Sequence, residues 1–230
     1  MTVRALRRYP VKSMGGESLG TVDVDARGLV LDRWYAVTDR EGCFASGKDT
    51  RRFRRRDAVF DYRAAVSESG VVVTGPEGSW LVGDEDLDHH LSRRMGTPVM
   101  VLPEADVPHQ DMGAVSVVGT ATLEWCRSRW DIDADPRRLR VNVLLETSEP
   151  FVEETWAGRE ISLGSVTLVG AQRIPRCRMV DVAQDGAIPD GRWLKPLAAE
   201  RDMFLAMYAD VRTPGTVAVG DLVTVSPAPR

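Results

Sequence analysis

Residues 58–82 read AVFDYRAAV SESG VVVT GPEG SWLV: three short apolar stretches, Ala58–Val66, Val71–Thr74 and Ser79–Val82, parted by two breaks rich in Gly, Ser, Pro and Glu. Pieces of that length, rich in Val and aromatic residues and bounded by turn formers, predict strands of a sandwich or barrel. The same spacing continues upstream in Val3–Tyr9, Ser18–Asp25 and Trp34–Asp39, so the first third reads as all-β. Downstream the period changes. Asp84 opens a helical pattern that runs through Met95, with Asp84, Glu85 and Asp86 in its first turn and Arg93 and Arg94 near its end, as the helix dipole favours. Gly96 and Pro98 stop it.

A second helix is predicted from Thr120 or Ala121 to Trp130, with Leu123, Cys126, Arg127 and Trp130 on one face, Thr120 as its cap and Asp131–Arg138 as its polar exit. Strand-length pieces then recur at Val141–Leu145, Glu160–Leu163, Val166–Arg173, Met179–Val182 and Val217–Val225, and Trp193–Tyr208 is a third helical candidate. The expected fold is mainly β with about three helices, divided softly into residues 1–105 and 106–230 with a shared interface.

Composition narrows the classes. The 230 residues are 43% hydrophobic and 28% charged, and no apolar run approaches the ~18 residues of a membrane span. Thirty basic against 34 acidic residues give a net charge of −4, which argues against a nucleic-acid binder that works by neutralising phosphates. No charged, apolar and small-residue order marks the start, Met1-Thr2-Val3-Arg4, as a secretory signal, so a cytoplasmic protein is expected. Cys43, Cys126 and Cys177 are odd in number and far apart, which fits neither a disulfide framework nor a zinc knuckle.

Several segments carry possible chemistry. Gly42-Cys43-Phe44-Ala45-Ser46-Gly47-Lys48-Asp49 nearly spells a phosphate loop, but Asp49 replaces the hydroxyl that would ligate magnesium. Ser46 and Lys48 still suit some other anionic ligand. Arg51-Arg52-Phe53-Arg54-Arg55-Arg56 is either a solvated surface or a site for phosphate or an acidic partner. His89 and His90 are adjacent and do not make a metal pair, whereas His109 lies two residues from Asp111, a carboxylate that could orient an imidazole. In Arg176-Cys177-Arg178 two cations favour a thiolate, the form that attacks electrophiles or binds a soft metal; an inert buried cysteine is the other reading.

Taken in order, Tyr9-Pro10-Val11-Lys12-Ser13, Gly28-Leu29-Val30-Leu31-Asp32-Arg33-Trp34, Ser46-Gly47-Lys48, Arg138-Leu139-Arg140-Val141-Asn142, Phe151 to Trp156 and Arg176-Cys177 resemble the motifs of the MOSC family. That family is named after the C-terminus of molybdenum cofactor sulfurase, and the first of these motifs resemble its usual N-terminal β-barrel partner. Val219-Gly220-Asp221-Leu222-Val223 is similar to the family's closing strand. The resemblance, which extends to amidoxime-reducing members, implies a β-barrel MOSC fold with an N-terminal β-barrel-like subdomain packed on it. It implies a molybdenum cofactor, molybdopterin, with Cys177 as metal ligand and with Lys12, Ser13, Arg33, Ser46, Lys48, Thr120, Arg140, Asn142 and Arg176 as its binding shell. Gly119 stands where relatives carry a serine, a departure for which Thr120 or Thr122 would compensate.

Three functions follow as expectations. The first is an oxidoreductase that reduces small N-hydroxylated compounds, takes electrons from a separate protein such as a ferredoxin or flavoprotein, and binds neither nucleic acid nor membrane. In it Cys177, His109 and Asp111 would be catalytic, His109 delivering the proton to the departing oxygen. The second is a sulfur or cofactor carrier with a persulfide on Cys177. The third keeps the fold and holds no cofactor, its pocket given to another anionic ligand.

Overall fold

The computed structural model describes residues 1–187 and 191–228. Its largest unit is an eight-stranded sheet in the order Val223–Val225, Glu160–Leu163, Val166–Pro175, Phe204–Thr213, Val115–Gly119, Val143–Leu145, Val3–Arg8, Glu17–Leu19. All neighbours are antiparallel except Val115–Gly119 with Val143–Leu145, a parallel pair bridged by helices α2 (Thr120–Trp130) and α3 (Pro136–Leu139), as a parallel connection requires. The first strand also reaches the last one. Val3 N donates to Asp221 O at 3.0 Å, Val223 N to Met1 O at 2.9 Å and Gly220 N to Val3 O at 2.8 Å, so the sheet curls shut around Leu6, Val143, Leu145, Ile161 and Leu168.

The N-terminal part adds a four-stranded sheet, Val99–Pro103, Tyr35–Asp39, Phe44–Ser46 and Phe53–Arg55, and the three-stranded meander Arg63–Ser67, Gly70–Gly75, Gly78–Leu81. Helix α1 (Glu85–Met95) closes their common core with Leu87 and Leu91, and Gly96 ends it in the left-handed conformation that a residue without a Cβ adopts freely. A fourth sheet, Gly215–Ala218, Thr21–Asp25 and Gly28–Leu29, pairs the C-terminal end with the N-terminal part. Hydrogen-bonded sheets therefore cross the 105/106 division. Among the described residues no helix is long and apolar enough to cross a membrane.

The β-rich architecture matches expectation, with differences in particular elements. Ser18–Asp25 and Val217–Val225 each break into two strands that enter different sheets, Glu17–Leu19 and Thr21–Asp25, and Gly215–Ala218 and Val223–Val225. Ala58–Val66 is not one strand: Asp57–Asp61 is a 3-10 turn that buries the neighbours Val59 and Phe60 together, which an alternating strand cannot do, and the strand begins at Arg63. Met179–Val182 is replaced by a 3-10 turn, Arg178–Asp181, whose Asp181 carboxylate accepts Trp193 N at 2.7 Å. The third helical candidate, Trp193–Tyr208, is half helix: α4 spans Leu194–Glu200, then Asp202 and Met203 turn the chain at positive φ into the strand Phe204–Thr213. Pairing with Val166–Pro175 overrides local helical spacing there. Finally, Thr120 does not cap α2. Gly119 is the cap residue, and the Thr120 hydroxyl donates to Thr147 O at 3.3 Å.

Candidate functional site

A cavity of about 420 Å³ opens between the two parts of the chain, within the ~300–1,000 Å³ of small-molecule sites. One wall comes from the N-terminal part. After the first strand the chain turns at Tyr9-Pro10, and Lys12 N donates to Tyr35 O at 2.7 Å, which brings the Lys12 side chain to the cavity beside Ser13. Arg33 arrives through its own backbone bond to Tyr9 O at 2.7 Å, and the turn after Phe44–Ser46 supplies Ser46 and Lys48. The facing wall is Arg138–Arg140, at the end of α3, and Ile174–Cys177, at the end of the long strand. Ser13, Arg33 and Arg140 all lie at positive φ, +69°, +50° and +53°, backbone strain of the kind that collects at sites.

Charge distinguishes this cavity. Seven cationic side chains line it and one acid, Asp111. Burial pushes Arg140 and Arg176 down to about 10, and the Nη2 atom of each is buried without a hydrogen-bond partner. The guanidiniums of Arg140 and Arg33 stand 4.4 and 5.1 Å from the centre of the fully buried Tyr9 ring, whose face attracts both. Lys12 Nζ donates to His109 O at 2.6 Å and to Asp111 Oδ1 at 3.0 Å. Burial lowers Lys12 to about 8 despite the attraction of Asp111, while Asp111 falls to about 2 because Lys12, Lys48 and Arg33 outweigh its own desolvation. The hydroxyls of Ser13 and Ser46 are engaged, with Ala45 O at 2.9 Å and Met179 Sδ at 3.7 Å.

Of the residues singled out from sequence, Lys12, Ser13, Arg33, Ser46 and Lys48 line this cavity, together with Asp111, Arg140, Arg176 and Cys177. His109, Asn142 and Thr120 do not. The His109 ring is buried edge-on against Phe44 at 4.8 Å, burial lowers its pKa, and its contribution is the backbone carbonyl that holds Lys12. Asn142 lies behind the wall, accepting from Ser116 Oγ at 2.8 Å and donating to Arg7 O at 3.2 Å. Thr122 donates to Glu153 Oε1 at 2.7 Å, so neither it nor Thr120 supplies the hydroxyl missing at Gly119. Ser116, one strand residue of the same segment, lines the cavity instead.

Sequence reasoning misses Tyr208 and names Arg52 only as one of the arginine run 51–56. Tyr208 was assigned to a helix; on its strand it reaches the cavity, and burial and the charge of Asp111 raise its pKa. Arg52 was the member of the arginine run to look for. Arg54, Arg55 and Arg56 pair with Glu41, Asp57 and Asp39, whereas Arg52 donates to Pro108 O and lines the cavity. Among the three cysteines Cys43 and Cys126 are buried and Cys177 is half-buried at the cavity; burial drives the Cys126 thiol up to about 12.

Comparison with known proteins agrees with this architecture. The MOSC N-terminal beta barrel domain matches residues 1–84 and the MOSC domain matches residues 86–224. Among solved structures the chain is similar to the YuaD protein from Bacillus subtilis, at 13% identity, a TM-score of 0.51, and 97% of this chain over 94% of that one. It is also similar to YiiM from Geobacillus stearothermophilus, at 12% identity and a TM-score of 0.39 over 50% of this chain and 55% of that one. No curated protein matches. Two matches that together cover nearly all of residues 1–224 place this chain in the MOSC domain family, a family associated with the molybdenum cofactor.

Proposed function

We propose that the cavity binds a molybdenum-containing pterin and that the protein is an oxidoreductase acting on N-hydroxylated compounds. The observation that carries this reading is the pair of unpartnered guanidinium nitrogens, Arg140 Nη2 and Arg176 Nη2, buried in a wall otherwise rich in cations. Unpaired charge is expensive to bury, and an anionic group laid against both arginines removes that penalty. The residues therefore fit a pterin that carries a phosphate. Arg140, Arg176, Lys12 and Lys48 would hold its anionic and polar edges, and the Cys177 thiolate, a soft ligand, would hold the metal.

Bound there, the cofactor supplies two-electron redox chemistry. Reduction of N–OH to N–H and water consumes two electrons and two protons, the electrons coming from a separate donor protein. His109 is walled off from the cavity, so the proton source moves to Lys12 Nζ. With its pKa near 8, that ammonium carries a proton at neutral pH and releases it more readily than an ordinary lysine. Asp111 orients it through the 3.0 Å bond and stays ionised.

The test is metal analysis by mass spectrometry of the wild type and Cys177→Ala, both from a host that makes the cofactor. Near-stoichiometric molybdenum in the wild type and markedly less in the variant is expected. No molybdenum in either, with sulfane sulfur that disappears in Cys177→Ala, would overturn the enzyme reading in favour of a persulfide carrier.

A further inference from the structure

Cys177 lies between two arginines that face opposite ways. Arg176 turns toward its own part of the chain, donating through Nε to Leu205 O and through Nη1 to Leu139 O, both at 2.8 Å. Arg178 reaches across. Its Nη1 and Nη2 grip the two carboxylate oxygens of Asp57 at 2.8 and 2.7 Å, and Nη1 also donates to Gly47 O at 2.9 Å. A two-point grip by a planar fork fixes direction as well as distance.

Both ends of this grip are anchored to the cavity walls. Gly47 belongs to the turn that carries Ser46 and Lys48, and a Cβ at Gly47 would stand 3.2 Å from Arg178 Nη1 and 3.3 Å from Met179 Cγ, so turn and cysteine loop touch. Asp57 opens the 3-10 turn whose Val59 and Phe60 are buried in the N-terminal core. Among the described residues of the cysteine loop, two reach the N-terminal part through ion pairs: Arg178, next to Cys177, and Asp185, farther along, which pairs with Arg7 and Arg63. Of the two cations that flank Cys177, Arg178 is therefore the one paired with a carboxylate.

We infer that Arg178 is a positioning residue: through Asp57 it sets the placement of Cys177 Sγ relative to the Lys48 wall. The pair is 38% and 40% exposed, so salt screens it, and the presentation of Cys177 varies with ionic strength. This inference rests on the reading of Cys177 as the metal's ligand, yet the clamp can be tested without any cofactor.

The experiment is alkylation of the full-length, cofactor-free chain by iodoacetamide, followed peptide by peptide, with the buried Cys43 and Cys126 as internal references. Arg178→Gln and Asp57→Asn are expected to change the Cys177 rate by about two- to fivefold, the range exposed ion pairs support, with an unchanged melting temperature. Asp57 keeps Arg55 as a partner at 3.0 Å when Arg178 is replaced, which protects the fold. Arg178→Lys, with charge but no fork, should fall between Arg178→Gln and the wild type. Raising salt should bring the wild type toward the variants and leave the variants unmoved. A wild-type rate equal to theirs and indifferent to salt overturns the inference, as does acceleration at all three cysteines with a lower melting temperature. Absence of molybdenum in protein from a cofactor-making host would instead sink the proposed function and leave the alkylation result standing.

Discussion

Lys12 and Asp111 carry opposite charges, yet both pKa values fall. Burial is the largest influence on each: it lowers Lys12, whose side chain is 7% exposed, beyond what the attraction of Asp111 restores, whereas for Asp111, 43% exposed, Lys12, Lys48 and Arg33 together outweigh it. Because the folded pKa of Lys12 lies near 8 and the unfolded one at 10.5, its burial opposes folding below about pH 8 and that opposition fades by about 10.5. Stability thus gains a rising component across that window. Thermal melts of Lys12→Met should lack the rise, while Asp111→Asn, which strips Lys12 of its partner, should start it below pH 8. Affinity for an anion runs the other way, weakening as pH climbs past 8 in the wild type, and titration calorimetry with the pterin phosphate should show that loss absent from Lys12→Met.

The segment from Val115 to α2 shows what a motif can and cannot convey. Residue order near Gly119 invites the thought that Gly119→Ser would restore a hydroxyl to the cofactor. Instead a Cβ there would lie 2.5 Å from Thr147 Oγ1 and 2.9 Å from Glu153 Oε2, away from the cavity, so the substitution should cost about 1–3 kcal/mol, seen as a lower melting temperature, with no gain in cofactor content. The limits of α2 were readable because its apolar residues recur at helical spacing and Asp131, at φ +51°, ends it. Strand Phe204–Thr213 was not, since Leu205, Ala206 and Met207 suit either state until the partner strand Val166–Pro175 is known. Tyr208 was lost with it. Likewise the order Lys12, Arg33, Arg140 and Cys177 could be read along the chain, but Asn142, two residues from Arg140, and His109, two from Asp111, turn to backbone and to buried neighbours that only the folded chain supplies.

Taken whole, the molecule has a division in its family matches that its hydrogen bonds do not respect. Val3–Arg8 pairs with Val143–Leu145, and Thr21–Asp25 with Gly215–Ala218, so each part completes a sheet of the other. Scanning calorimetry of the full chain should therefore give one cooperative transition, and residues 1–105 expressed alone should give none; two separate transitions would refute this. The shared sheets also make the cavity a product of the joint, with Lys12 on one side and Cys177 on the other.

A joint of that kind has a history in time. On the ribosome Lys12 emerges early and Tyr208 late, and at about 5–20 residues per second the wait between them is on the order of 10–40 s. For about the first two-thirds of that interval the first strand has no Val143 beside it, and the chain closes only when Leu222 arrives to meet Thr2. Every nascent chain thus carries its cations uncollected until synthesis is nearly complete. A cofactor added to stalled chains ending before Cys177 should find nothing that retains it, and pull-down of such chains through the pterin would be the sign that some part of the site forms earlier.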